Sequence, residues 1–143
     1  MNKALHCAVG LLARREHSLA ELAEKLAQKG HDEADIQDAL ATCQRQGLQS
    51  DVRYADSLCR TRMRQGYGPV RIRQELKAKR VAREHIEDVL RMDPQDWLQH
   101  ARDVWKKKYK YSVNASFAEK QKQKQFLLYR GFSMETITKI VPL

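Results

Sequence analysis

The sequence predicts an all-α protein of three tandem three-helix repeats, which would stack as an elongated, curved array. Apolar residues recur at the i, i+3, i+4, i+7 spacing of a buried helical face. Only six glycines and three prolines occur in 143 residues, too few for a turn-rich β sandwich. The chain also aligns with itself at an offset near 50, which suits three short helices per repeat.

The self-alignment pairs apolar residues at almost every compared position. At an offset of 50 the pairs are Leu22 with Ile72, Leu26 with Leu76, Ile36 with Ile86 and Leu40 with Leu90. A further offset of 51 carries the pattern to Leu127, Ile137 and Val141. We therefore expect repeats at 1–49, 50–92 and 93–143.

The first repeat opens with a helix whose apolar face holds Ala4, Cys7 or Ala8, and Leu11. Ser18 and Glu21 form a capping box, in which both side chains satisfy N–H groups of the second helix. Gly30 ends that helix, and Asp32 is placed to cap the third.

The second repeat begins near Ser50, with Val52, Ala55, Leu58 or Cys59, and Met63 on the expected buried face. The segment Gly66-Tyr67-Gly68-Pro69 is then expected to end this helix and to start a new one at the proline. Ile72 and Leu76 lie on the apolar face of that helix. A third helix carries Ile86, Val89 and Leu90.

The third repeat opens at Asp93-Pro94, and its first helix is expected to bury Trp97, Ala101, Val104 and Trp105. Residues 108–115 are predicted to form the longest loop. Ser116 and Glu119 make a second capping box. The polar run at 121–125 is interpreted as a solvated helix face, and Gly131 ends its helix before Ser133 starts the last one.

The charge is strongly basic and unevenly distributed. The net charge is +9, with −1 in residues 1–49, +5 in residues 50–92 and +5 in residues 93–143. Such an excess indicates an anionic partner, which can be nucleic acid, an acidic protein surface or an anionic membrane.

Catalytic, metal-binding and membrane roles lack support in the sequence. It contains no H-E-x-x-H, Walker-type or G-x-S-x-G motif. Cys7, Cys43 and Cys59 are widely spaced on apolar faces, so we interpret them as reduced core thiols. We expect no cofactor and no metal. The first apolar stretch is interrupted by His6 and lacks a cleavage site, which favours a mature helix in a cytoplasmic protein.

The basic side chains provide the candidate binding residues, although charged helix faces are commonly only solvated. Arginine is favoured because its planar guanidinium can hold a carboxylate or phosphate through two hydrogen bonds. The leading candidates are Arg53, Arg60, Arg64, Arg71 and Arg73, followed by Lys106, Lys107, Lys108, Lys122 and Lys124.

Three segments resemble the RecX family, bacterial regulators of the RecA recombinase. They are Leu11 to Leu26 with Arg14-Arg15-Glu16-His17-Ser18, Gly66-Tyr67-Gly68-Pro69 through Leu76, and Phe126 through Phe132 with Ile137. The resemblance runs from about Leu5 to Val141. One departure is Lys79-Arg80, where the family usually has Lys-Gly, so Arg80 must form or avoid a left-handed helix end.

The resemblance implies a regulator that lodges on the RecA–DNA filament and mostly inhibits RecA in DNA repair and the SOS response. We expect a monomer without membrane association, and weak direct binding to DNA stays open. The alternative is a stand-alone basic helical protein that binds nucleic acid. The pattern around Gly66 to Leu76 favours the first hypothesis, because a generic DNA-binding protein has no reason to carry it.

Overall fold

A computed structural model describes residues 2–110 and 114–141. Within those residues the secondary structure is entirely helical, as the sequence predicts. The nine helices are α1 Lys3–Arg14, α2 Leu19–Gln28, α3 Glu33–Arg45, α4 Asp51–Arg64, α5 Pro69–Ala78, α6 Arg83–Leu90, α7 Pro94–Tyr109, α8 Phe117–Tyr129 and α9 Met134–Ile140.

The described chain forms two compact units. The first contains the residues up to Leu58 together with Leu76–Val89. In it, α1 packs against α2 and α3 around a buried core of Ala8, Leu22, Leu26, Ile36, Leu40 and Cys43. The apolar positions that the repeat pattern predicts for these helices are therefore buried.

The second unit contains Cys59–Glu75 and the described residues from Leu90 onward. Helices α7, α8 and α9 pack on one another around Ala101, Leu127, Phe132, Ile137, Ile140 and Val141. Both units draw on α4 and α5, since Cys59 lies inside α4 and Leu76 lies inside α5.

The helix ends follow the capping signals in the sequence, except that the side chain of Glu21 binds a different partner. Ser18 and Ser116 each accept a hydrogen bond from the N–H three residues on, in Glu21 and Glu119. The carboxylate of Glu21 binds Arg15 instead of the helix N-terminus. The side chain of Asp32 makes no capping hydrogen bond, although Asp32 is the N-cap residue of α3.

Three sequence-based expectations are wrong. Val52 is 56% exposed, because Tyr54 fills the interior at the start of α4 and turns Val52 outward. Gln123 is buried, not solvated, because it accepts a hydrogen bond from the indole Nε1 of Trp105 at 2.9 Å. Helix α7 continues through Tyr109, whose ring packs edge-on against Phe126, so the connection starts later than predicted. Part of that connection, residues 111–113, lies outside the described residues.

Candidate functional site

Cations and aromatic rings alternate along the surface of the second unit. The guanidinium of Arg71 lies 4.0 Å from the ring centroid of Tyr67 and 6.0 Å from that of Tyr129. Arg130 lies 5.1 Å from the Tyr67 ring and 4.9 Å from the Phe126 ring. Lys108 extends the series, 5.4 Å from Phe126. We call these six residues (Tyr129, Arg71, Tyr67, Arg130, Phe126 and Lys108) the cation–aromatic row.

Glycine at two positions makes this arrangement possible. Gly131 has a φ of +94°, and a Cβ there would lie 2.5 Å from the Cβ of Arg71. A Cβ on Gly68 would lie 2.6 Å from the carbonyl oxygen of Gly131. The start of α5 thus lies directly against the turn after α8. Two hydrogen bonds hold it there, from Gly68 N–H to Arg130 O at 2.8 Å and from Val70 N–H to Gly131 O at 2.9 Å.

The row keeps an excess of positive charge. Glu75 accepts from Arg62 Nε at 2.9 Å and lies 3.7 Å from Arg71 Nε, so one carboxylate faces two guanidinium groups. Tyr129 is 75% exposed and offers its ring to solvent beside Arg71. Guanidinium groups beside exposed rings can bind carboxylates, phosphates or flat aromatic groups.

A cleft of about 500 Å³ lies beside the row. Four of its lining side chains are cations, namely Arg64, Lys107, Lys108 and Arg130. Asp103 is the one carboxylate among its lining residues. The cations come from the last residue of α4, the last turn of α7 and the C-cap of α8.

The structure brings together part of the predicted set. Arg64, Lys107 and Lys108 line the cleft, and Arg71 lies in the row. Arg60 and Lys106 are exposed on α4 and α7, and Arg73 is half-buried on α5. Lys122 and Lys124 lie on α8, outside the cleft lining.

Arg53 lies in the first unit and is held by its own chain. Its Nε donates to Glu16 at 2.7 Å, and its Nη2 donates to the carbonyl oxygen of Gly47 at 2.8 Å. These contacts join α4 to the segments before α2 and after α3. They give Arg53 a structural role that the sequence analysis did not foresee.

A second ionic group in the first unit surrounds Glu21. Arg15 donates to its two carboxylate oxygens at 3.0 and 2.8 Å, and Lys79 lies 3.4 Å away. Burial by itself would raise the pKa of Glu21, but the hydrogen bonds and charge of Arg15, helped by Lys79, outweigh it and hold this pKa at about 2. The carboxylate is therefore ionised inside the protein and stabilises the junction of α1 and α2.

The three cysteine thiols lie wholly or partly inside the protein. Cys43 and Cys59 are buried and Cys7 is half-buried, and burial raises the pKa of the Cys43 thiol. No three His, Cys, Asp or Glu side chains within residues 2–110 and 114–141 are grouped as a metal site. None of the described helices has the length and apolar character needed to cross a membrane.

Models of three consecutive domains match nearly the whole chain. The RecX first, second and third three-helix domains match residues 4–43, 50–90 and 95–141. The chain belongs to the RecX family. The regulatory protein RecX of Legionella pneumophila (strain Corby) is 48% identical over 140 residues, covering 98% of this chain and 93% of that protein. Its counterpart in Vibrio parahaemolyticus is 44% identical over 131 residues, covering 92% and 84%.

Solved structures of RecX proteins share the fold. The crystal structure of RecX from Lactobacillus salivarius has a TM-score of 0.76 at 24% identity, covering 97% of this chain and 92% of that one. In RecX terms, the second domain supplies Arg64, Tyr67 and Arg71. The third domain supplies Lys107, Lys108 and Arg130.

The binding residues predicted from the sequence do not include three members of the cation–aromatic row: Tyr67, Tyr129 and Arg130. Tyr67 lies beside Gly66, and Tyr129 and Arg130 lie within two positions of Gly131; all three belong to the segments that resemble the RecX family. The sequence carries one signal for these residues. In both the second and the third repeat, an aromatic residue lies within two positions of a helix-ending glycine. The contact between Tyr67 and Arg130 joins residues far apart in sequence, which helix periodicity alone does not reveal.

Proposed function

We propose that this RecX regulatory protein binds the RecA–DNA filament and mostly inhibits RecA. The carrying observation is the partly exposed, positively charged cation–aromatic row in a chain whose family membership spans nearly its whole length. We further propose that it acts in the cytoplasm as a monomer, without a cofactor or a catalytic step. The repeat boundaries at 1–49, 50–92 and 93–143 remain a prediction.

The chemistry of the row supports a filament as the partner. A RecA–DNA filament carries phosphate and protein carboxylates, and both are ligands of guanidinium groups. The positive charge would also raise the rate of encounter with an anionic assembly. A filament repeats its surface, so several modest contacts can give high avidity without a deep pocket.

The same row supports a second candidate, direct binding to single-stranded nucleic acid. Tyr129 is highly exposed beside Arg71, and such pairs can stack on bases while the cation meets phosphate. The two functions differ in what happens on bare DNA, which makes the comparison with RecA-coated DNA decisive.

The test compares binding to RecA filaments and to bare single strands at matched, near-physiological salt. The site variant is Arg71→Gln with Tyr129→Ala, which removes the outer end of the row. The control is Arg14→Gln with Val9→Ala, an exposed cation and an exposed apolar residue on α1. RecA ATPase and strand-exchange rates report inhibition.

We expect the unmodified protein to prefer the filament and to lower the RecA rates at substoichiometric amounts. The site variant should lose roughly tenfold or more of its filament affinity, while the control should retain it. Tight binding to bare DNA without any effect on RecA would support the second candidate. Equal loss of inhibition by both variants would show that the row is not the contact surface.

A further inference from the structure

In the part of the chain that the structure describes, the cleft beside the cation–aromatic row is lined by more cations than carboxylates. Arg64, Lys107, Lys108 and Arg130 face Asp103 as the only carboxylate of the lining. Across residues 2–110 and 114–141, none of these four cations has a carboxylate oxygen within ion-pair distance. The lining thus has three more positive than negative side chains.

The position of each cation at a helix end explains why that residue is basic. It does not explain why cations from three helix ends line the same cleft. A cation at a helix C-terminus is favoured by the helix dipole, by about 0.3–1 kcal/mol at the surface. That effect applies separately to the ends of α4, α7 and α8. It gives no reason for cations from all three ends to line one concave space, where like charges repel one another. An anion bound in the cleft would remove that repulsion.

Arg130 is already held in place for such a role. Its Nη1 donates to the carbonyl oxygen of Gln65 at 2.8 Å, and its guanidinium lies over Phe126. One N–H is used in this contact, and a guanidinium has five. The remaining donors belong to a group whose orientation is fixed before a ligand arrives, which lowers the entropy cost of binding.

The cleft lining also contains the apolar side chains of Met63, Val104 and Phe126. Its volume of about 500 Å³ lies in the range of sites for small organic ligands. Several cations, apolar side chains and one acceptor for an amine match the three parts of a purine nucleotide, which are phosphates, a flat ring and an exocyclic amine. We propose that this cleft binds a nucleoside triphosphate, with the phosphates on the four cations and the base against the apolar side chains.

The cleft shares Lys108, Phe126 and Arg130 with the cation–aromatic row, so its test uses the full chain without RecA or DNA filaments and changes residues outside the row. ATP is titrated into the protein by calorimetry, with inorganic tripolyphosphate and an oligo-dT strand as comparison probes. The cleft variant is Arg64→Gln with Lys107→Gln. The control is Lys122→Gln with Lys124→Gln, which removes the same charge from α8 outside the cleft lining.

We expect saturable binding of one ATP per chain. The cleft variant should weaken it by roughly tenfold or more, whereas the control should change it by less than about threefold. Tripolyphosphate should bind the unmodified protein more weakly than ATP. Circular dichroism checks that both variants keep their helices.

Four results would overturn all or part of the assignment. The first is the absence of saturable ATP binding, and the second is equal weakening in the two variants. The third is displacement of ATP by oligo-dT at equal phosphate concentration, which would make the cleft part of a strand-binding surface. Tripolyphosphate binding as tightly as ATP would refute the contact between the base and the apolar side chains.

Discussion

Arg15 binds both carboxylate oxygens of Glu21, at 3.0 and 2.8 Å, and Glu21 is 6% exposed. This pair links the end of α1 to the first turn of α2. Because the carboxylate is buried and ionised, the pair makes the stability of the first unit depend on acid.

Acid should destabilise the protein through Glu21. Its pKa falls from 4.5 to about 2 on folding, so its contribution is complete above about pH 4.5 and is lost as the pH falls toward 2. The lost contribution is about 3 kcal/mol. Glu21→Gln should lower the urea midpoint at pH 7 and lose less on going to pH 3 than the parent. Glu24→Gln, exposed on the same helix, is the control and should keep the parent's acid sensitivity.

His17 should titrate below the usual range for histidine. Burial lowers its pKa, although the carbonyl of Arg15 opposes that effect. Its Nδ1 lies 3.0 Å from Arg15 O and its Nε2 lies 3.1 Å from Lys25 Nζ, which suits a neutral ring that donates from Nδ1. The stabilisation is complete above about pH 6.5 and declines as the pH falls through the folded pKa. Ring-carbon chemical shifts measured against pH check this, and a midpoint at or above that of the unfolded chain would contradict it.

Leu76→Ala should cost about 2–5 kcal/mol of unfolding free energy. Leu76 is fully buried in α5, and truncation removes its packing and leaves a cavity. Chemical denaturation measures the loss. The neighbouring exposed residue gives the control, since Lys77→Ala should cost less than about 0.5 kcal/mol. If both variants unfolded at the same denaturant concentration, Leu76 would not be a core residue.

Gly131→Ala should destabilise the second unit by about 2 kcal/mol or more. The added Cβ would meet Arg71 Cβ at 2.5 Å, and the left-handed backbone disfavours any side chain. Gly30→Ala is the comparison, because Gly30 shares the positive φ but has no atom within 4 Å of an added Cβ. Thermal unfolding should therefore show a clearly larger loss at Gly131, and equal losses would mean that the backbone conformation alone is responsible.

Helix periodicity predicted the fold well because the interior is repeated. Leu22, Ile72 and their partners at the repeat offsets are buried almost throughout. Gln123, the third-repeat counterpart of Ile72, is also buried but departs from the pattern because it is polar. The indole of Trp105 donates a hydrogen bond to Gln123, which allows this polar side chain to be buried. The contact joins two helices, so the spacing of apolar residues within either helix does not predict it. The left-handed end at Arg80, with φ of 59°, follows the expectation from Lys79-Arg80.

The binding residues were less predictable than the core. Charge and helix position indicated Arg64, Arg71 and Lys108 as binding candidates, and the structure places Arg64 and Lys108 in the cleft lining and Arg71 in the cation–aromatic row. Charge and helix position do not distinguish Arg53 from the other candidate arginines. Arg53 is held by Glu16, and that ion pair joins segments distant in sequence. Surface chemistry here is decided by tertiary neighbours, whereas burial is decided largely by local periodicity.

The division of α4 and α5 between the two compact units bears on how such a protein can change by duplication or loss of gene segments. The segment that matches the second RecX domain, residues 50–90, contributes structure to both units. Deleting it would not leave a shorter protein with two intact modules, because each unit would lose helix that completes it. Whole-repeat exchange should be tolerated poorly, and inheritance of the three domains as one block is the outcome that this architecture favours.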